Sequence, residues 1–263
     1  MQLSLSGFLF EDGYASQSIS LAEFCEVARS AGYAGVELRR TQVRPDMHPR
    51  ERAAVIRVVK GTGLSVTCLT ARGLPNEGVA RDEFFVRYLD LCGEMDCRLL
   101  KIGGDTAWLR DACATAEDHG VVLASNNHVG GPLETVAGTK RYLREISHRN
   151  MRLLYDPLHL NVSGEDYLGC IAELACVTGN ILVHSLRPPG PGERPEWEHR
   201  GKGWVRALPD EPGVQNWRGI CAAFKAAGYD GLVTVIENGW PPERRVAVAT
   251  RCAEAMQRFW DGA

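Results

Sequence analysis

The sequence has no hydrophobic run of the roughly 20 residues needed to span a bilayer. Met1 leads into an alternating segment rather than into a basic stretch followed by an apolar core, so we expect no export signal. Basic residues are not in excess, because 30 Lys and Arg stand against 33 Asp and Glu, for a net charge of −3. Proteins that depend on many phosphate contacts carry a surplus of Lys and Arg. We therefore predict a cytoplasmic protein that binds neither a membrane nor a nucleic acid.

Local signatures of nucleotide and cysteine-based metal sites are missing too. No Gly-x-Gly-x-x-Gly or Walker A sequence occurs, and the short segment Gly103-Gly104-Asp105 is too little to indicate either. The 9 cysteines are scattered, odd in number and form no Cys-x-x-Cys pair. This pattern argues against a disulfide framework and favours buried thiols in a reducing compartment.

What the sequence does contain is a repeated alternation of strand-like and helix-like segments. The predicted strands are Gln2–Ser6, Gly35–Leu38, Ser65–Leu69, Arg98–Ile102, Val121–Ser125, Arg152–Tyr155, Ile181–His184 and Leu232–Ile236. The amphipathic segments between them predict helices at Leu21–Ala31, Pro49–Lys60, Asp82–Met95, Trp108–His119, Glu134–His148, Asp166–Val177, Trp217–Ala227 and Glu243–Trp260. Alternation at about 30 residues per unit is typical of βα crossovers and a parallel sheet.

The junctions between helix and strand share one design. Two near copies, Ser30–Glu37 and Ala226–Glu237, place a glycine at the helix end and run through a strand to a carboxylate. Glycines before Leu64 and Val121 have the same position. This repetition, at a length of 263 residues, favours a single (β/α)8 TIM barrel domain over residues 1–263 rather than a doubly wound sheet.

One long segment lacks periodicity. It follows the seventh strand, runs from about 187 to 214, and contains 6 prolines and 5 glycines. We predict that it forms a long loop at the end of the barrel where active sites are built.

Polar residues concentrate just after the predicted strands, where a barrel would bring them into one mouth. They are Glu37, Arg39 and Arg40 after strand two, Asn126, Asn127 and His128 after strand five, Asp156 and His159 after strand six, His184 at strand seven, and Glu237 and Asn238 after strand eight. Carboxylate, imidazole and carboxamide groups meeting at one point suit a divalent cation such as Mn²⁺, Mg²⁺ or Co²⁺.

These residues carry a family resemblance. The segments Asp156-Pro-Leu-His159, Val183-His184 and Glu237, together with Leu123–His128, resemble the sugar isomerase and epimerase barrels of the xylose isomerase-like superfamily. The resemblance runs over nearly the whole chain. It implies a metal held by Glu, Asp, His and Glu after strands five to eight, and Asp156, His184 and Glu237 match the last three.

The first ligand position departs from the family, because Asn126 stands where the family has glutamate. Asparagine is neutral and cannot act as a base, although its carbonyl oxygen can coordinate a hard cation. His128 and Glu134 are alternative ligands at this point. Asn126 in place of glutamate argues against tight metal binding. It also argues against the two-carboxylate proton transfer that the resemblance implies.

The resemblance implies a metal-dependent isomerase or epimerase of a sugar, keto-sugar or polyol, with Mn²⁺ as the first candidate and Mg²⁺ or Co²⁺ as alternatives. A metal would stabilise the charge that develops when a base removes the proton next to a carbonyl. With Asn126 in the chain, Glu237 is the remaining base, assisted by His159 or Glu37. The expected substrate-binding residues are His128, Asn127, Arg187 and Trp108, of which His128 and Trp108 equally fit a packing role.

Two alternative functions stay open. The segment Asp156–Asp166 resembles the corresponding stretch of inosose dehydratases, which implies a lyase that eliminates water from a keto-polyol. Loss of a ligand carboxylate also fits a catalytically silent sugar-binding barrel. An abasic-DNA endonuclease, also in the superfamily, needs more histidines and a basic face than this chain offers. Barrels of this group commonly associate, so a homo-oligomer is possible.

Overall fold

The parallel strands of the computed structural model close into a barrel, which confirms the predicted fold class. The structure describes residues 1–72, 74–75 and 78–263. The barrel strands are β1 Gln2–Ser6, β2 Gly35–Leu38, β3 Ser65–Thr70, β4 Leu99–Lys101, β5 Val122–Asn126, β6 Met151–Tyr155, β7 Thr178–Val183 and β8 Leu232–Val235. Each strand pairs in parallel with the next, and β8 closes the ring on β1 through Gln2 and Leu232.

Helices surround this barrel and return the chain from the end of one strand to the start of the next. They are α1 Leu21–Ser30, α2 Pro49–Gly61, α3 Val79–Glu94, α4 Thr106–Asp118, α5 Val136–Ile146, α6 Pro157–Val162, α7 Ile171–Leu174, α8 Trp217–Ala226 and α9 Arg245–Asp261. Gly32 and Gly228, just after α1 and α8, have φ values of +84° and +77°. A side chain is disfavoured at such angles, which confirms the predicted role of glycine at the helix ends.

Alternate strand residues divide the core into two parts. One small cluster takes a residue from or just after each of six strands: Cys68, Leu99, Ala124, Leu154, Leu182 and Ile236. A large cluster joins the other face of the strands to the helices. Because side chains alternate across a strand, the small cluster fills the barrel interior and the large one lies under the helices.

The predicted helix over Asp166–Val177 is wrong in its first half. Residues 167–170 form turns, and the regular structure is limited to α7 and a short 3-10 turn at Ala175–Val177. The side chain of Asp166 accepts a hydrogen bond from the Gly169 backbone at 2.8 Å, a local bond that competes with helix formation.

The segment predicted as a loop at about 187–214 contains an antiparallel sheet. Its strands are Leu186–Arg187, Trp197–His199 and Lys202–Arg206, with the last in the centre. We refer to Trp197–Arg206 as the mouth hairpin. Within the described part of the chain, no helix is both long and apolar enough to cross a membrane.

Candidate metal centre and active-site cavity

A cavity of about 660 Å³ opens at the carboxyl ends of the barrel strands. Its charged and polar lining includes Arg39, Arg72, Lys101, Asn126, His128, Asp156, His159, His184, Glu196, Arg206 and Asn238. Barrel enzymes place their chemistry at this end, so the strand-end residues predicted from the sequence share the expected location.

Asp156 is fixed at the floor of this cavity. It follows β6 and caps α6, since its Oδ1 accepts a hydrogen bond of 3.0 Å from the Leu158 backbone. Its Oδ2 is buried and has no partner among the described residues. Burial raises the pKa of Asp156 to about 7, against the positive charge of Lys101.

Two histidines adjoin Asp156. His159 lies one turn along α6, with its Nε2 3.6 Å from Asp156 Oδ2, and His184 follows β7. One ligand atom of each of the three residues lies within 4.8 Å of the others. Burial lowers the pKa of His184 to about 3, and burial together with the neighbouring His128 lowers that of His159. Both imidazoles are therefore neutral at pH 7 and can offer a lone pair.

The donor set fits a divalent cation. Buried polar atoms are normally hydrogen-bonded. Here Asp156 Oδ2, His159 Nδ1 and His184 Nδ1 have no hydrogen-bond partner in the described part of the protein. One carboxylate and two imidazoles suit a borderline ion such as Zn²⁺, Co²⁺ or Mn²⁺. The structure thus groups His159, predicted as catalytic, with the predicted ligands Asp156 and His184.

The two asparagines after β5 differ in placement. Asn126 lines the cavity, and its side-chain amide makes one long contact of 3.4 Å with the Asn127 carbonyl. Asn127 is 1% exposed, accepts from the Asp156 backbone N–H at 2.8 Å and donates to the Asp156 carbonyl at 2.7 Å. Asn127, expected to bind substrate, therefore positions the Asp156 backbone instead of facing the cavity.

Glu237 lies beside Asp156, His159 and His184 but does not belong to that group of candidate metal ligands. It follows β8 and is fully buried; Oε1 accepts from the Ser185 backbone at 2.9 Å, and Oε2 accepts from Trp240 Nε1 at 3.1 Å. Burial raises the pKa of Glu237 to about 8, although these two N–H donors favour the ionised form. The two bonds orient the carboxylate. Its neighbours Ile236 and Asn238 line the cavity, and Glu237 itself lies just behind that lining.

Glu37, the other predicted carboxylate, is fully buried and contacts neighbouring polar side chains. Its Oε1 accepts from Thr70 Oγ1 at 2.8 Å and lies 3.6 Å from Arg39 Nη1. Glu37 does not belong to the cavity lining. Its contacts favour a role in holding Arg39, which does reach the cavity.

The remaining predicted substrate-binding residues are dispersed. His128 lines the cavity, with its ring centroid 3.9 Å from that of His159. Trp108 packs against Phe85 and donates to Asp82 at 2.8 Å, on the outer side of the barrel. Arg187 pairs with Glu193 at 2.6 Å, away from the cavity. Thus only His128 of these three reaches the mouth.

Glu134, predicted as an alternative metal ligand, contacts the mouth hairpin instead of the metal-site residues. Its Oε1 lies 2.6 Å from Arg200 and accepts from His199 Nε2 at 3.2 Å, both residues of the mouth hairpin. Glu134 therefore ties the hairpin to the segment after β5.

Sequence reasoning missed several cavity residues, above all Lys101, Arg72 and Arg206. Lys101 is the last residue of β4, whereas the predicted strand runs one residue further and hides it as a wall position. A search for polar residues in the last positions of each predicted strand, as well as just after it, would have found Lys101.

Comparison with known proteins gives one curated relative. The inosose dehydratase of Geobacillus thermodenitrificans (strain NG80-2) is 26% identical over 124 residues, which are 46% of this chain and 41% of the relative. The match therefore spans less than half of the relative's length.

Solved structures resemble the fold over nearly the full chain. The probable 3-DHS dehydratase AsbF of Bacillus anthracis has a TM-score of 0.76 at 16% identity, covering 98% of this chain and 99% of its own. An L-ribulose 3-epimerase has a TM-score of 0.72 at 16% identity, covering 99% and 94%. The IolI protein, solved with a bound zinc atom, has a TM-score of 0.73 at 14% identity, covering 98% and 96%. At these identities the likeness shows the fold alone.

A family model covers most of the chain. The model described as xylose isomerase-like TIM barrel matches residues 25–256, which include the strand ends from β2 to β8. This match confirms the resemblance seen in the strand-end residues. The chain belongs to the xylose isomerase-like TIM barrel family.

Proposed function

We propose that the protein is a divalent-metal-dependent enzyme that isomerises a sugar, keto-sugar or polyol by removing a proton next to a carbonyl group. The observation that carries this proposal is the group Asp156, His159 and His184, whose candidate ligand atoms lie within 4.8 Å of one another. Each of the three side chains also keeps a buried polar atom without a hydrogen-bond partner among the described residues. A silent sugar-binding barrel has no need to keep such atoms unpaired, because each unsatisfied buried group costs about 1 to 3 kcal/mol.

The cation would be held by Asp156, His159 and His184, with the carbonyl oxygen of Asn126 as a further donor from the cavity wall. When bound, it would polarise a substrate carbonyl oxygen. Mn²⁺ is the predicted ion, and the zinc bound by the IolI protein supports a divalent cation more generally.

Glu237 is the proposed base. The N–H groups of Ser185 and Trp240 fix its carboxylate beside the donor group, so the proton acceptor is oriented before substrate binds. Asn126 cannot take up a proton from the other side. One base returns the proton to the same face of the substrate, which favours isomerisation over the two-base inversion of a carbon centre.

Elimination of water is a second candidate, and it is also favoured by the single base. A dehydratase needs one base for the C–H proton and an acid for the leaving hydroxyl, and Asn126 need not serve as either. The inosose dehydratase relative and the AsbF dehydratase fold support this candidate.

Metal analysis and proton exchange test the proposal together. Purified protein, supplied with Mn²⁺, should bind about one divalent cation per chain and should exchange a substrate proton with D₂O. D-fructose and an inosose serve as substrates, and mass spectrometry of the products separates isomerisation from loss of water. Protein that binds no cation would overturn the proposal and favour the sugar-binding alternative.

Two variants then separate ligand from base. Asp156→Asn should lose the cation, whereas Glu237→Gln should keep it and lower exchange by at least about 100-fold. Glu117→Gln, at a partly exposed carboxylate that pairs with Arg149 on the surface, is the matched control and should change neither. Loss of the cation in Glu237→Gln would make Glu237 a ligand, and full exchange in that variant would remove it as the base.

A further inference from the structure

The cavity contains more positive than negative side chains, and two of the four cations are already neutralised. Arg39 lies 3.2 Å from the buried carboxylate of Glu11, and Arg206 lies 2.6 Å from Glu196. Lys101 and Arg72 are the other two cations of the lining. Asp156, the remaining acid in the cavity, belongs to the proposed metal site.

Lys101 is a half-buried cation that no acid neutralises. It ends β4, lines the cavity, and has no carboxylate within 4.0 Å of its amine among residues 1–72, 74–75 and 78–263. Its charge nevertheless acts on the metal-site residues, since it lowers the pKa of Asp156 and of His184. A partly desolvated ammonium group without a counter-ion is unfavourable, so it is poised to accept an anion.

Arg72 lies on the neighbouring strand end. The Ala71 backbone N–H donates to the Lys101 carbonyl at 2.8 Å, which aligns residues 71–72 with the end of β4. The guanidinium of Arg72 stacks over the ring of Tyr14, 3.9 Å from its centroid, and the described residues place no carboxylate against it. Stacking fixes the plane of a guanidinium and leaves its N–H edge free to bind an anion.

We propose that Lys101 and Arg72 form an anion subsite that binds a carboxylate or phosphate group of the substrate. The inference rests on the proposed function in one respect, namely that the cavity is the substrate site. It narrows the substrate from neutral sugars to acidic or phosphorylated sugars and polyols. The nearby N-terminus of α4 is not the subsite, because Asp105 already caps it through a 2.8 Å bond from the Trp108 backbone.

Calorimetric titration with three matched polyols tests the subsite. The probes are D-glucitol, D-gluconate and D-glucitol 6-phosphate, which share a carbon chain and differ in charge. The wild-type protein should bind gluconate or the phosphate at least about 10-fold more tightly than glucitol, as one charge-assisted contact provides. The anionic probe that binds more tightly than glucitol shows whether the subsite binds a carboxylate or a phosphate group.

Variants assign the preference to the two cations. Lys101→Met should weaken binding of the anionic probe by about 10-fold or more and leave glucitol unchanged, and Arg72→Gln should act in the same direction. Lys60→Met, an exposed lysine on α2 at the opposite end of the barrel, is the matched control. Circular dichroism of each variant verifies that the fold is retained.

Several results would overturn the subsite. They are equal affinity of the wild type for charged and neutral probes, failure to bind any of the three, or an equal loss in Lys60→Met. The titrations are made on metal-free and on Mn²⁺-loaded protein, which separates the two proposals. For this comparison, proton exchange is measured with D-fructose 6-phosphate as well as with D-fructose. If exchange fails with both while the anion preference persists, the proposed reaction falls and the subsite stands. If exchange occurs without an anion preference, the subsite falls and the proposed reaction stands.

Discussion

At the scale of single residues, the two neighbouring asparagines give the clearest prediction. Asn127→Ala should lower the free energy of unfolding by about 2 to 4 kcal/mol, because it leaves the buried N–H and C=O of Asp156 without partners. Asn126→Ala is the control and should cost less than about 1 kcal/mol, since its side chain makes only the long 3.4 Å contact. Urea denaturation measures both.

The same two variants distinguish Asn127, which positions the Asp156 backbone, from Asn126, which faces the cavity. Asn127→Ala should also weaken binding of Mn²⁺, because the Asp156 carboxylate depends on a backbone that Asn127 holds. Equal stability of the two variants would contradict the assigned role of Asn127.

Residue types at strand ends predicted part of the site. Asp156 and His184 were recognised because charged or imidazole groups directly follow apolar strands, and the structure places them together. Burial and direction are not encoded in residue type, so Asn127 and Glu37 resemble cavity residues in the sequence although both are buried outside the cavity lining. Lys101 was missed for the converse reason, because it ends a strand and still faces the cavity.

At the scale of elements, the mouth hairpin depends on a few polar contacts across the cavity. Its tip, Arg200 and Gly201, has φ values of +49° and +71°, as a tight turn requires. Arg200 and His199 bond Glu134, and Arg200 also donates to the Ser163 carbonyl at 2.9 Å. Trp197 of the hairpin lines the cavity, so these contacts hold one of its walls.

Removal of the common acceptor should therefore loosen the hairpin without unfolding the barrel. Glu134→Ala should raise hydrogen exchange of the amides in Trp197–Arg206 by about 10-fold, while global stability changes by less than about 1 kcal/mol. Glu117→Ala, which removes the surface ion pair with Arg149 at 2.7 Å, should leave hairpin exchange unaltered. Unchanged exchange of the hairpin in Glu134→Ala would show that backbone pairing suffices.

Helices and strands were predicted well where one hydrophobic period extends over the whole segment. They were predicted poorly where local hydrogen bonds or turns interrupt that period. The barrel strands were found because their burial is set by the whole sheet. The three-stranded sheet over 186–206 was not, since the prolines and glycines of this segment conceal three short strands that pair with one another. The short α6 was missed because Asp156 and Pro157 begin a helix directly after a strand, without a loop to signal it.

At the scale of the whole molecule, the fold was predicted from the repetition of one strand-helix unit. The same repetition determines where the cysteine thiols lie. Cys176 is exposed and the other eight cysteines are buried, and none forms a disulfide. The thiols occupy helix faces and strands packed into the common core, as in Cys25, Cys113 and Cys221. This placement agrees with the predicted use of cysteine as a small buried side chain.

Thiol titration can therefore report on the integrity of the entire barrel. Burial raises the pKa of Cys25 and Cys113 to about 11 and that of Cys221 to about 12, so at pH 8 these thiols are both uncharged and shielded. Ellman's reagent should react with about one thiol per folded chain, Cys176, and with all nine in guanidinium. Cys176→Ser should abolish the fast reaction and leave the slow one, whose rate then measures opening of the core. Rapid reaction of several thiols in the native protein would contradict this packing of the helices against the barrel, because Cys25, Cys113 and Cys221 lie between the two.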